Sequence, residues 1–366
     1  MNIKQLVRNQ ILQMQEINWG DVPDDNPLRL LWGENQKFFK IYKKAIENEL
    51  YKINLYPSPT KQVLKEALAR YNSVKPENII PTNGSDEALE LIAKVFISEN
   101  DEVIMPLPSY PCFESVSQMM GAKITTISLE ENFTLNIKSL LNVITKKTKI
   151  IWIANPNNPT GNILISKKQI EYLLKKINCL LVVDECYFEL AGTTGVSLIN
   201  KYPNLIVVRS FSKVFALAGA RLGYLMCNKK TAAYLNRLQQ TNQVFCVNRF
   251  AQAAAIALLR KPKQITDSIL EFQNLKQKFE STLERIPELI ILETKTTFCL
   301  AKIQSDITAA QFKKKLMMQN IFIKDCSIYE GLGKQFIYLG IPQERYQQKV
   351  VESIKKILLK GKYYDN

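Results

Sequence analysis

The chain has 366 residues, 46% of them hydrophobic and 23% charged, a balance that fits about two folded domains and sets aside disordered and disulfide-scaffold classes. Lysine and arginine exceed aspartate and glutamate by 49 − 34 = 15, but the lysines are spread over amphipathic segments. The excess therefore reads as a solvated basic surface, suited to small phosphate-bearing molecules rather than nucleic acid.

Histidine is absent, which removes serine-histidine and cysteine-histidine nucleophile pairs and any zinc site that needs imidazole. Any general base is of another kind. The cysteines Cys112, Cys179, Cys186, Cys227, Cys246, Cys299 and Cys326 form no C-x-x-C pair, the pattern of buried thiols in a reducing compartment, with the cytoplasm as the default. The stretch from Met1 to Gln15 lacks the apolar core of a signal peptide, and no run of 18 apolar residues occurs, so neither export nor a membrane association is expected.

In chain order, Thr60 can cap a helix that carries Leu64, Ala67, Leu68 and Tyr71 on one face, the i, i+3, i+4, i+7 spacing of an amphipathic helix. A second helix should follow Ser85. Short apolar runs then recur at Glu102 to Met105, Lys149 to Ala154, Leu180 to Val183, Leu205 to Val208 and Leu222 to Cys227. They are too short for helices and several lack polar alternation, as expected of strands buried on both faces of a largely parallel sheet.

After about residue 250 the texture changes to long helical patterns, Ile269 to Leu283 and Gln347 to Leu359, with strand-like runs at Leu289 to Leu292, Thr297 to Ile303 and Ile321 to Ile323 between them. The expected organisation is an α/β protein with an N-terminal segment, 1–35, packing on a small α+β domain, 251–366, and a large domain, 36–250, whose mostly parallel sheet lies between helices.

Ligands of open α/β sheets bind beyond the carboxyl ends of the strands. There the sequence places Pro108-Ser109-Tyr110, then Asn155-Pro156-Asn157-Asn158-Pro159-Thr160-Gly161, then Asp184-Glu185-Cys186-Tyr187, then Ser210-Phe211-Ser212-Lys213, with Arg221 eight residues beyond the lysine. A cleft-facing Lys213 could form a Schiff base with a carbonyl cofactor; as a lone strand-end lysine it is equally an ordinary surface charge. Asp184 could hold magnesium, but no G-x-x-x-x-G-K-[ST] phosphate loop accompanies it, or it could keep a pyridinium nitrogen protonated.

Gly84-Ser85-Asp86 opens a helix whose first N–H groups suit phosphate, although the same residues serve as a plain cap. Arg221 and Ser210 could complete that cup with a fixed fork and a hydroxyl. Two Asn-Pro steps before Thr-Gly specify a rigid turn. Asn158 and Tyr187 could donate to a phenolate oxygen, and Tyr110 offers a flat face for stacking on an aromatic ring.

These segments resemble the pyridoxal-phosphate enzymes of the class I/II aminotransferase family, fold type I, and among them the histidinol-phosphate aminotransferase branch. The likeness runs from Gly33-Glu34-Asn35 through Tyr56-Pro57 to Gly331-Leu332-Gly333, and rests on N-P-x-N-P-T-G, D-E-x-Y and S-x-S-K followed by A-G-x-R-x-G-Y, in order. It implies pyridoxal 5'-phosphate on Lys213, which also moves the substrate proton. It further implies Asp184 at the ring nitrogen, Asn158 and Tyr187 at the 3' oxygen, and Tyr110 on the ring. Gly84, Ser85, Asp86, Ser210, Ser212 and Arg221 then hold the phosphate, with Tyr56 reaching the neighbouring subunit of a homodimer with shared active sites. The partners so implied are an amino donor and a 2-oxo acid acceptor.

The substrate residues depart from the pattern. Phe336 stands where the family usually has an arginine, Lys324 stands at a second arginine position, and Gly33-Glu34-Asn35-Gln36 replaces N-E-N-P. Phenylalanine cannot clamp an anion and lysine lacks the guanidinium fork. Glu34, Asn35 and Lys324 remain as substrate candidates; the expectation is either a substrate pair other than the ordinary one or an anion held by another cation, for which Lys324 is the candidate. Two alternatives are a lyase of the threonine-phosphate decarboxylase type and a cofactor-sensing regulator. The regulator needs an N-terminal winged helix, for which the 33 residues before Glu34 are too few.

Overall fold

The computed structural model describes residues 1–16, 22–23, 25–35, 37 and 40–359. The larger sheet is built from β1 (Ile79–Thr82), β2 (Glu102–Leu107), β3 (Lys123–Ser128), β4 (Thr148–Ala154), β5 (Leu180–Asp184), β6 (Leu205–Ser210) and β7 (Gly223–Cys227). Its order is β1-β7-β6-β5-β4-β2-β3. β7 runs antiparallel to both neighbours and the other pairings are parallel.

Residues alternate between two apolar layers: Leu181 and Val183 enter one cluster while Val182 enters the other, and Ile151 and Ile153 oppose Ile150 and Trp152 in the same way. Burial on both faces is why these strands read as continuous apolar runs.

β1 and β3 escape that reading. β1 carries Pro81, which looks like a turn, although in the sheet it lies opposite Tyr224. β3 is an edge strand with Lys123 and Ser128 exposed. The helix expected from Thr60 begins instead at Gln62, behind Lys61 in the left-handed region at φ 53°. Lys61 is buried and donates to the Val244 carbonyl at 3.0 Å, which fixes the turn, while the Thr60 hydroxyl pairs with Ser58.

The second sheet contains β8 (Leu289–Leu292), β9 (Phe298–Ile303), β10 (Lys324–Asp325) and β11 (Phe336–Gly340), all antiparallel in the order β10-β11-β9-β8. Helices Pro262–Leu283 and Glu344–Leu359 supply Phe279, Leu283, Val350 and Ile354 to a core shared with Ile337 and Leu339. The strand expected at 321–323 starts at Lys324; Phe322 forms a single parallel bridge with Arg29.

The N-terminal residues divide between the two sheets. Leu28 and Leu30 sink into the small-sheet core; the Leu30 N–H donates to Phe322 O at 2.6 Å, the Phe322 N–H to Leu28 O at 2.9 Å, and the Gly340 N–H to Leu30 O at 2.6 Å. Further upstream, Arg8 donates to the Met119 carbonyl at 2.8 Å and Gln10 to Glu99 at 3.1 Å, against the large-sheet helix Cys112–Met119.

Candidate active site

A cleft of about 370 Å³ opens beyond the carboxyl ends of β4, β5 and β6 and is closed on its other side by Arg29, Trp32, Glu34, Lys324 and Tyr338. Each strand end delivers a polar group to it. At the end of β5, Asp184 is 5% exposed and its Oδ1 accepts from the Cys186 N–H at 2.9 Å. Burial raises its pKa to about 6, against the lowering effect of that hydrogen bond.

Beyond β6, the Lys213 ammonium donates to the Trp32 carbonyl at 2.8 Å and lies 5.7 Å from the centre of the Tyr187 ring. Burial pulls its pKa downward, and the nearby Cys186, Glu34, Asp86 and Asp184 oppose the fall. An amine held partly desolvated in this way gains nucleophilic and basic character.

The turn after β4 is tied by its own side chains. Asn155 donates to Ile165 O at 2.8 Å and accepts from the Leu164 N–H at 2.8 Å, while Asn157 donates to Pro108 O at 2.9 Å and to the Thr160 hydroxyl at 2.7 Å. Asn158 is the asparagine of this turn that lines the cleft. Its Oδ1 and the Tyr187 hydroxyl are buried without a hydrogen-bond partner among the described residues. Buried polar atoms left open at the edge of a cleft are where a ligand's polar groups belong.

At another end of the cleft, Ser85 and Asp86 lie in the first turn of helix Gly84–Phe96, where backbone N–H groups lack intrahelical partners. Two glycines make the approach possible. A Cβ on Gly84, at φ +82°, would stand 2.8 Å from Arg221 Nη2, and one on Gly223 would stand 2.5 Å from the Ser85 nitrogen. Arg221 reaches over this turn and pairs with Asp86 Oδ2 at 3.3 Å; Ser210 Oγ accepts from the Ser212 N–H at 3.1 Å. The Tyr110 hydroxyl donates to Asp86 Oδ1 at 2.9 Å, and its ring stands edge-on to Phe113.

Two residues singled out from sequence stand elsewhere. Asn35 is not among the cleft-lining residues and donates to the Val214 carbonyl at 3.0 Å. Tyr56 is 77% exposed and stacks on Phe245 at 4.4 Å between ring centres. Gln36 lies outside the described residues. Glu34 and Lys324 do line the cleft, and burial lowers the Lys324 pKa to about 8. Phe336 packs edge-on against Phe133, 5.9 Å between centres, and is absent from the lining.

Sequence reasoning missed Arg29, Trp32, Cys186 and Tyr338, all of which line the cleft. Cys186 sat inside D-E-x-Y and could have been named from that spacing. Tyr338 could have been found from alternation in β11, where Ile337 and Leu339 enter the core and Tyr338 faces the other way, stacked on Phe298 at 4.0 Å. The tyrosine needs a gap opposite: a Cβ on Gly33, at φ +61°, would lie 2.2 Å from the Tyr338 hydroxyl. Nothing in the sequence around Arg29 marked it.

A mostly parallel sheet between helices, a smaller antiparallel sheet and this strand-end cleft together define a fold type I enzyme. The family model for aminotransferase class I and II matches residues 26–337, and the chain belongs to that family. A histidinol-phosphate aminotransferase of Thermoanaerobacter pseudethanolicus is 33% identical over 365 residues, 98% of this chain and 100% of that one. The crystal structure of histidinol-phosphate aminotransferase from Sinorhizobium meliloti in complex with pyridoxal-5'-phosphate aligns with a TM-score of 0.87 at 22% identity, over 97% of this chain and 98% of that one. L-threonine-O-3-phosphate decarboxylase from Porphyromonas gingivalis aligns at 0.77 and 25% identity, over 91% and 99%.

Proposed function

We propose that this aminotransferase carries pyridoxal 5'-phosphate on Lys213 and moves an amino group between an amine or amino-acid donor and a 2-oxo acid, in the manner of its histidinol-phosphate aminotransferase relatives. The observation that carries the assignment is the convergence of Lys213, Asp184, Asn158, Tyr187 and the first turn of helix Gly84–Phe96 on one cleft. The open Tyr187 hydroxyl, with Asn158 also lining the cleft, fits the cofactor's phenolic oxygen, and the glycine-cleared helix terminus with Arg221, Ser210 and Ser212 fits its phosphate. When bound, the cofactor supplies an electron sink for the pair left behind when the substrate Cα–H bond breaks.

Asp184 holds a proton on the ring nitrogen, a task suited to a buried carboxylate that gains a cationic partner. Lys213 Nζ would remove the proton at the substrate Cα and deliver it to the cofactor's C4' carbon, on the far side of the nitrogen that joins the two. Tyr110, fixed through Asp86, backs the ring. Histidine is absent, so the lysine serves as both nucleophile and base.

We also place the enzyme in the cytoplasm as a homodimer with shared active sites. All seven cysteines are free thiols, and among the described residues no helix is long and apolar enough to cross a membrane. Tyr51, Ile53, Leu55 and Tyr56 are exposed together, an apolar strip suited to burial against a second copy, with Tyr56 directed to that copy's cofactor phosphate.

Borohydride treatment of the purified protein should fix the cofactor's mass on the peptide containing Lys213. Lys213→Ala should abolish that adduct and lower turnover by roughly 10²–10⁴-fold or more. Absence of the adduct in the wild type, with no response to added cofactor, overturns the assignment. Product identification separates transfer from the alternative chemistry: CO2 release without amino-group transfer would assign the decarboxylase reading instead.

A further inference from the structure

Asp184 and Ser210 close the neighbouring strands β5 and β6, and both line the cleft. Side chains alternate along a strand, so Glu185, just after β5, and Arg209, inside β6, belong to the opposite face. Val183 and Val207 enter the core layer on that face, while Val182 and Val208 enter the other. Glu185 and Arg209 are 0% and 2% exposed, and neither lines the cleft.

Behind the cleft the two side chains meet. Arg209 Nη2 and Nε donate to Glu185 Oε2 at 2.8 and 3.2 Å. The Thr194 hydroxyl donates to the same oxygen at 2.7 Å, and the Gly195 N–H to Oε1 at 2.7 Å. Arg209 Nη1 donates at 2.6 Å to Oδ1 of Asn72, the last residue of helix Gln62–Asn72. The guanidinium carbon lies 3.4 Å from the centre of the Phe188 ring. Charge-assisted bonds of this kind are short and directional, and removing one member leaves the other charge buried alone.

The pair sits where the backbone ladder stops. The register of β5 with β6 ends at Asp184 opposite Val208, and the Glu185 N–H donates to Val208 O at 2.8 Å. Ser210 and Lys213 lie past that point. There β6 is paired on its other side with β7, Arg209 opposite Tyr224 and Ser210 opposite Gly223. The ion pair therefore joins the ends of β5 and β6 beyond their ladder.

We propose that Glu185 and Arg209 are positioning residues that fix the spacing between Asp184 and the turn from Ser210 to Lys213. A rigid aromatic cofactor can then meet the acid at its ring nitrogen and the groups at its phosphate together. The proposal rests on the reading of Lys213 as the cofactor's anchor. A planar ring cannot stretch, so a slip of β6 against β5 falls on the contact between the ring nitrogen and Asp184. A displacement of about 1 Å costs on the order of a hundredfold in rate.

The test follows that nitrogen directly, in holoenzyme reconstituted with pyridoxal 5'-phosphate isotopically labelled at the ring nitrogen, whose NMR signal separates the protonated from the bare ring. Glu185→Gln keeps the shape and the acceptor oxygen but removes the charge. Its nitrogen signal should move toward the bare-ring position and kcat should fall roughly tenfold to a hundredfold, with KM within about twofold of wild type. Arg209→Lys, which keeps a cation, should lose less than Arg209→Gln. The double variant Glu185→Met with Arg209→Met leaves no charge buried alone; its thermal unfolding should lie nearer to wild type than that of Arg209→Gln, while its nitrogen signal stays displaced.

A folded Glu185→Gln enzyme whose nitrogen signal and kcat match wild type overturns the proposal. So does a signal that recovers in step with stability in the double variant, or loss of folding in every variant, since the pair would then support the fold alone. A wild type that takes up no cofactor on Lys213 defeats the functional reading and this proposal with it, whereas a loaded wild type matched by its variants defeats the positioning role only.

Discussion

The two walls of the cleft are built on different plans. The large-sheet wall takes its groups from the ends of consecutive parallel strands, so Asn158, Asp184, Ser210 and Lys213 arrive in chain order at fixed offsets from apolar runs. The small-sheet wall takes Arg29, Glu34, Lys324 and Tyr338 from an N-terminal segment and from strands near the other end of the chain. The first arrangement is fixed by topology. The second is fixed by two backbone pairings, 29 with 322 and 30 with 340, and so can change residue by residue without disturbing the sheet that carries Lys213.

If that division is right, changes on the first wall disable the enzyme and changes on the second redirect it. Asp184→Asn should have the largest effect, because it would remove one member of the buried charge pair proposed with the cofactor's ring nitrogen. A loss of about 2–5 kcal/mol corresponds to some thirtyfold to several-thousandfold in turnover or cofactor affinity, measured by steady-state kinetics and absorbance titration. A loss below threefold would break the comparison.

Gly223→Ala comes next. Its Cβ would meet the backbone of Gly84 at 2.4 Å and of Ser85 at 2.5 Å, so β7 and the helix terminus must part. Denaturant unfolding should show a loss of about 1–3 kcal/mol, typical of overpacking, together with weaker cofactor binding. A control alanine at Gly192, where nothing lies within 4 Å though φ is +69°, should leave cofactor affinity unchanged.

The smallest effect should be the pH dependence on the second wall. Lys324 is pulled from 10.5 to about 8 chiefly by burial, with Lys213 and Lys313 lowering it and Cys326 opposing, while the Tyr329 hydroxyl lies 3.3 Å from the amine and the Tyr338 ring centre 5.5 Å from it. Raising the pH through about 8 removes its charge, so KM for an anionic substrate should rise severalfold between pH 7 and 9. The stability sign is opposite. Between about pH 8 and 10.5 the unfolded lysine binds more protons than the folded one, so this group's contribution to stability increases with pH across that window. Lys324→Met should flatten both trends; a KM profile identical to wild type would remove Lys324 as a candidate for holding the substrate anion.

The same division explains what was legible from sequence. β2 and β4–β7 announce themselves because both faces are buried, and the residues after β4, β5 and β6 inherit their places from those strands. β1 and β3 do not, since Pro81 imitates a turn and the edge strand is polar. Lys61 hides its turn because a buried lysine in a left-handed conformation is the opposite of an expected cap. Arg29 has no local signal at all: its direction follows from Leu28 and Leu30 docking on a sheet formed some 260 residues later, a tertiary fact with no counterpart in spacing.

The tight fit between residues 33 and 338 couples a loop near one end of the chain to a strand near the other. With the tyrosine hydroxyl 2.2 Å from where a Cβ at 33 would sit, the bulky phenol cannot coexist with any larger residue across from it unless one of them moves. An exchange at 33 alone should therefore be harmful, while the same exchange joined to a smaller residue at 338 is tolerated, so that the two positions can change only as a pair.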